Sequence, residues 1–164
     1  MSEALASYLQ QHNISSEMIA FIISILPVLE LRGGIIAAKL MGIPLVKAYF
    51  ICLAGNMLPI PFVLLFIKQI FAFMKRFAWS EKLVVRLELS AQRKSASVRN
   101  KQLLGLFVFV AVPLPGTGGW TGALIASMLN IPFKKGFLSI FAGVIAAGII
   151  MIILSYFIPG LFGF

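Results

Sequence analysis

Pro27-Val-Leu-Glu-Leu-Arg-Gly-Gly-Ile-Ile-Ala-Ala-Lys-Leu-Met-Gly-Ile-Pro44 decides the reading of this chain, because it returns 88 positions later. Without a gap it lies on Pro115-Gly-Thr-Gly-Gly-Trp-Thr-Gly-Ala-Leu-Ile-Ala-Ser-Met-Leu-Asn-Ile-Pro132. Pro27/Pro115, Gly34/Gly122, Ala38/Ala126, Ile43/Ile131, Pro44/Pro132, Lys47/Lys135, Ala54/Ala142 and Gly55/Gly143 are identical. Apolar chains match partly by chance, but two Pro pairs and further Gly pairs in one register point to a duplication. Duplicated halves interrupted by Pro and Gly in an apolar chain are a mark of membrane transporters.

The setting agrees. Apolar residues make up 60% of the 164, and the mean hydropathy is +1.02. An ordinary soluble domain of this size cannot bury that much apolar surface, so the solvent for most of the chain is expected to be lipid. The net charge is +9, and nine of the 14 basic residues fall between Lys68 and Lys101. A basic block between two apolar halves reads as a cytoplasmic loop near anionic lipid. The aromatic residues lie in the apolar stretches, away from the basic ones, which argues against a nucleic-acid platform. Cys52 is the only cysteine, so no intrachain disulfide and no thiolate metal cluster can form. Nothing in the sequence calls for a cofactor.

The chain reads as one membrane domain, 1–164, with a first repeat at 18–73, a basic amphipathic linker at 74–101 and a second repeat at 102–160. Met1 to Glu17 is mildly amphipathic, with His12 a surface residue. Met1 to Ser16 lacks the basic start of a cleaved signal peptide, so the first apolar segment is expected to stay. Met18 to Met41 is apolar but broken by Pro27, Glu30, Arg32, Gly33 and Gly34. Each leg is far short of the roughly 20 residues needed to cross the hydrocarbon core. The segment is either one spanning helix with a broken middle or a re-entrant hairpin, and the hairpin supplies the water-filled cavity that buried charges and irregular backbone require. Leu45 to Phe73 is long enough to span, with a kink or division at Pro59 and Pro61. Leu103 to Leu129 repeats the broken segment, with its interruption at Pro113 to Gly122. Phe137 to Phe157 is a clean span with a small-residue face at Ala142, Gly143, Ala146, Ala147 and Gly148.

The expected fold class is therefore all-α and membrane-integral, with two inverted repeats. Each repeat is a re-entrant helical hairpin plus a transmembrane helix. Placing the basic linker inside puts both termini outside and Lys134 and Lys135 inside, which charge favours over four full crossings.

Glu30 and Arg32 are the sharpest candidate site. In a helix, residues two apart face different ways; in an extended break they could share one side. One reading makes Glu30 proton- or ion-linked and Arg32 the grip on an anionic group such as phosphate; the other makes the two a polar clamp that holds the break. Pro113, Pro115, Gly116, Thr117, Gly118, Gly119, Trp120 and Thr121 form a loop rich in exposed N–H groups and hydroxyls, suited to an anion or headgroup. The same glycines would equally let two hairpin tips cross closely. Trp120 occupies the repeat position of Arg32. Asn56 either lines the same cavity or is a satisfied polar residue of a kinked packing helix. Lys39 and Lys47 can snorkel to the interface. A catalytic set is missing.

The stretches Pro27-Val-Leu-Glu-Leu-Arg-Gly-Gly and Pro113-Leu-Pro-Gly-Thr-Gly-Gly-Trp-Thr-Gly-Ala resemble the two signature motifs of the bacterial family of putative small multidrug export proteins, itself distantly similar to the DedA/VTT superfamily. The resemblance covers Ala20 to Tyr156. Where the family's first motif often continues with Pro, this chain has Ile36. The resemblance implies inverted repeats whose hairpin tips meet at mid-membrane. It also implies transport of lipid carriers or phospholipids linked to proton use, and it carries over to Glu30, Arg32, Pro113, Pro115 and the loop Gly116 to Trp120.

The expected function is secondary transport of an amphipathic substrate, a lipid phosphate or a lipophilic drug, across the bacterial cytoplasmic membrane. The alternatives are an uncoupled lipid scramblase and a membrane phosphatase acting on a lipid phosphate. Membrane lipids and the substrate are the expected partners, nucleic acid is not, and a homodimer stays open.

Overall fold

The computed structural model describes residues 15–74, 76, 84–86, 89, 102–114 and 116–157. His12, the amphipathic N-terminal segment, Pro115 and nearly all of the basic linker 74–101 lie outside the described residues.

Seven α-helices follow one another among the described residues: α1 Ser16–Ile25, α2 Glu30–Leu40, α3 Leu45–Met57, α4 Ile60–Met74, α5 Gln102–Ala111, α6 Gly119–Met128 and α7 Phe133–Ile152. The last continues as a π-helical turn, Ile153–Phe157. Ser15 starts α1, its hydroxyl accepting from Met18 N at 3.3 Å, which satisfies one of the free amides of the first turn.

The chain departs from helix over fewer residues than its Pro and Gly content suggests. The first interruption is confined to Leu26–Leu29, and α2 already begins at Glu30. Arg32, Gly33 and Gly34 therefore sit inside a helix, where the sequence had placed them in the break. The second interruption ends at Gly118, so Trp120, Thr121 and Gly122 belong to α6. Close approach, not turning, explains Gly34 and Gly122. A Cβ at Gly34 would strike the Ser24 hydroxyl and come within 3.0 Å of Cys52 Sγ; one at Gly122 would lie 2.6 Å from Val110 and 3.6 Å from Ile140. Cys52 and Ile140 are themselves 88 positions apart, so the matched glycines meet matched neighbours.

The ends of α2 and α6 show the same register. Ile43 N donates to Ala38 O and Gly42 N to Lys39 O, and 88 positions on Ile131 N donates to Ala126 O and Asn130 N to Ser127 O. Gly42 and Asn130 both take positive φ, 73° and 54°, the left-handed stop that lets a helix end tie back on itself. Pro44 and Pro132 then start α3 and α7 with nearly equal dihedral angles. α3 and α4 are divided at Leu58–Pro59, where the Pro pair predicted a kink or a division.

α1 packs on α2 and α3, α5 packs on α7, α4 lies against α6, and α7 touches α2, α3 and α4. The core runs through both halves and includes Leu31, Ile35, Ile60, Leu106, Val110, Ile125, Ile140 and Val144. On α7, Gly143, Ala147 and Gly148 are buried while Ala142 is exposed, so only part of the small-residue set packs. Gly148 takes the ring of Tyr49, and Gly143 takes Val110 and the Phe107 carbonyl.

Two stretches, Leu45–Ile67 and Phe133–Tyr156, are long and apolar enough to cross a membrane, and no more than 33% of the apolar window in either is buried. Their outward residues include Phe50, Phe62, Phe66, Leu138 and Ile149. α1, α2, α5 and α6 have 10 or 11 residues each, about half of what a crossing helix needs.

Candidate functional site

Glu30 opens α2 with φ +51°, a backbone conformation costly for a side chain other than Gly. The carboxylate explains what holds it. Gly119 N donates to Glu30 Oε2 at 3.1 Å and Trp120 N donates to Oε1 at 3.2 Å. Glu30 thus caps the N-terminus of α6, in the other half of the chain. The first amides of that helix have no partner of their own, and the helix dipole favours negative charge there. The residue is 6% exposed, so these donors replace water around the carboxylate. A Cβ at Gly118 would run into the carboxylate oxygens, which fixes glycine at that position.

Arg32 serves the other helix end. One terminal nitrogen donates to Leu114 O; the other donates to Val112 O at 3.1 Å and to Thr117 Oγ1 at 3.0 Å. These carbonyls lie just past the C-terminus of α5, where the negative end of the helix dipole draws cations. Thr117 completes the turn, its hydroxyl lying 2.7 Å from Val112 O and accepting from Leu114 N at 3.3 Å. Glu30 and Arg32 thus each reach a different helix end in the other half of the chain, the start of α6 and the end of α5.

Trp120, at the repeat position of Arg32, makes the reciprocal bond. Its indole Nε1 donates to Ile25 O at 3.0 Å, and Ile25 is the last residue of α1. Arg32 binds the carbonyls on either side of Pro113, which lies 88 positions beyond Ile25. Sequence reasoning matched Arg32 with Trp120 by position but did not show this reciprocity. The signal it missed is that both carry N–H donors on long side chains.

A cavity of about 530 Å³ opens beside this clamp. Pro27, Val28, Leu29, Glu30, Arg32, Gly33 and Ile36 line it from the first half, and Pro113, Leu114, Gly116, Thr117, Thr121, Met151 and Leu154 from the second. The wall is mostly apolar, with two charged groups and two hydroxyls. Gly34, Asn56, Gly118, Gly119 and Trp120 are outside this lining. Gly34 faces α1 and α3. Asn56, Gly118 and Gly119 line a small pocket that shares Glu30 and Arg32 with the cavity. Trp120 borders an apolar groove along α4.

The two lysines expected to snorkel behave differently. Lys39 donates to Ser155 O in the π-helical turn. Lys47 forms an exposed ion pair with Glu17 at 2.8 Å, and its hydrogen bond holds the Glu17 carboxyl below the usual range. Among the described residues no three of His, Cys, Asp or Glu gather where a metal could bind.

The profile of a family described as "putative small multi-drug export protein" matches residues 30–150, from Glu30 to the end part of α7. The chain belongs to this family. No curated protein and no solved structure matches it. Membership of an export-protein family, with the two long apolar stretches, makes this a membrane protein of the transporter class rather than an enzyme, and the phosphatase alternative falls with it.

Proposed function

We propose that this export-family chain is a small secondary transporter that carries an amphipathic substrate, a lipophilic drug or a lipid phosphate, through the cavity beside Glu30 and Arg32. One observation carries the reading. Both interruptions of the duplicated chain border a single cavity of about 530 Å³, apolar except for Glu30, Arg32, Thr117 and Thr121. Apolar walls with a few placed polar groups suit a molecule with a greasy body and one polar end. Glu30 is the exchanging group, because a buried carboxylate held by two amide donors links a proton to the position of α6.

The two halves act as inverted repeats, each a re-entrant hairpin (α1–α2 and α5–α6) followed by a crossing segment. The reciprocal bonds of Arg32 and Trp120 and the meeting of Glu30 with Gly118 support this arrangement, since symmetry-related elements touch where a two-fold axis passes. The protein sits in the bacterial cytoplasmic membrane with the basic linker inside and both termini outside.

A second reading, an uncoupled lipid scramblase of DedA-like type, draws support from the clamp itself, where Glu30 and the terminal nitrogens of Arg32 are engaged by protein groups. Purified protein in liposomes, offered a panel of lipid phosphates and lipophilic cations with and without a pH gradient, separates the two. Gradient-dependent uptake that disappears in Glu30→Gln is expected. Movement that ignores collapse of the gradient favours the scramblase, and a panel in which nothing moves refutes both.

A further inference from the structure

Asn56 near the end of α3 is 2% exposed, yet its Oδ1 has no hydrogen-bond donor. Buried side-chain oxygens are seldom left this way, because losing water without replacement is costly. The residue borders a pocket of about 10 Å³ together with Glu30, Arg32 and Gly118, the remainder of the wall being largely apolar, as at Val110 and Val144. That volume matches about one water, for which roughly 10–15 Å³ is enough. Of the polar groups around it, Asn56 Oδ1 receives no donor, and the Glu30 carboxylate receives two while it can accept about four. Two acceptors on residues that line one small space call for a molecule that donates twice. A bare metal cation fits poorly, because the apolar wall offers few further oxygens and the Arg32 guanidinium shares the lining.

We propose that this pocket is a single-water site, in which the water donates one hydrogen to Asn56 Oδ1 and the other to the Glu30 carboxylate. Asn56 is then a positioning residue for the group that exchanges the proton. This last consequence rests on the transporter reading; the water site does not. Glu30 borders both the large cavity and this pocket, so its carboxylate has a solvent partner that stays in place whatever occupies the cavity.

The test is infrared difference spectroscopy on the full chain in lipid nanodiscs, titrated in ordinary water and in water enriched in oxygen-18. An isotope-sensitive O–H stretch should change together with the Glu30 carboxyl band, the latter assigned by its loss in Glu30→Gln. Asn56→Leu keeps the bulk and removes the acceptor, so the water band should vanish and the carboxyl band should move. Asn56→Ser keeps an oxygen and should retain the band at a shifted frequency, which covers the case of a Leu variant that does not fold. A wild-type spectrum with no isotope-sensitive band coupled to Glu30 overturns the site. A band unchanged in Asn56→Leu overturns the role of Asn56. Liposome transport measured on the same protein keeps the outcomes apart, because failure of gradient-dependent uptake beside an intact water band sinks the transporter reading alone.

Discussion

Glu30 and Gly118 stand 88 positions apart, matched in the register that pairs Pro27 with Pro115, and they touch. A Cβ added to Gly118 would lie 2.7 Å from the Glu30 carboxyl carbon. Both residues have positive φ, +51° and +146°, so both halves turn into a helix at the same point by an unusual backbone step. One half supplies the carboxylate and the other the space for it. The two matched elements thus play different parts at one contact, and Arg32 and Trp120 form a second matched pair beside it.

Gly118→Ala should destabilise the protein strongly. The backbone strain alone costs about 1–3 kcal/mol, and the methyl displaces the carboxylate from the α6 amides. In Glu30→Ala the space is free, so adding Gly118→Ala there should cost only the strain. A double-mutant cycle by thermal unfolding in detergent reads the difference. Costs that simply add would mean that the two residues do not share this contact.

Arg32→Lys should lower stability even though the charge is kept. A single ammonium cannot reproduce the planar fork across Val112, Leu114 and Thr117. Hydrogen bonds to a charged group contribute about 1.5–3 kcal/mol each, and losing one of the three is the expected outcome. Arg32→Ala should cost more, since it removes all three hydrogen bonds and leaves Val112 O and Leu114 O to their local donors, Leu114 N and Thr117 N. If unfolding is unchanged in Arg32→Lys while substrate binding falls, Arg32 is primarily a ligand for substrate and the clamp is secondary.

How much of this was legible follows from what each residue does. The all-helical class, the short legs and the division near Pro59 could be read because hydropathy and proline act locally. The family followed from two motifs. The extent of the breaks could not be read, since Gly33 and Gly34 look like turn residues and in fact make room for Leu29, Ser24 and Cys52. A glycine has no local signature that separates these uses. Arg32 read either as the grip on an anionic group or as part of a polar clamp, with no partner named; its partners include the carbonyls of Val112 and Leu114, 80 and 82 positions away, and backbone acceptors leave no mark in a sequence. The pairing of Trp120 with Ile25 O was hidden for the same reason, although the repeat register already placed Trp120 opposite Arg32.

The Glu17–Lys47 pair gives a pH signature at the exposed starts of α1 and α3. The hydrogen bond and charge of Lys47 hold the Glu17 carboxyl below its ordinary value of 4.5. A carboxyl depressed in the folded state stabilises it at pH above that ordinary value, and the contribution is lost as pH falls through the folded value. Both partners are solvent-exposed, so salt screens the pair and the effect on stability should be small. Carboxyl NMR should show Glu17 titrating below the usual range and moving up in Lys47→Met. An unchanged midpoint in that variant would assign the depression to the helix start instead.

Topology is the sharpest remaining test. With α1, α2, α5 and α6 each only 10 or 11 residues long, hairpins that enter and return leave one net crossing per half. The short linker at Asn130–Pro132 then lies on the same side as the basic block, and Ser16 on the opposite one. Single cysteines at Ser16 and Lys134, in a Cys52→Ala background, should label from opposite faces of the membrane, Ser16 from outside and Lys134 from inside. Cys52 is buried and its replacement by Ala keeps the small volume beside Gly34, so the background should fold. Four full crossings would reverse both sides at once, with Ser16 reached only from the cytoplasm and Lys134 only from outside. Such labelling would remove the hairpins, and with them the meeting of symmetry-related breaks from opposite faces on which the transport cavity is argued.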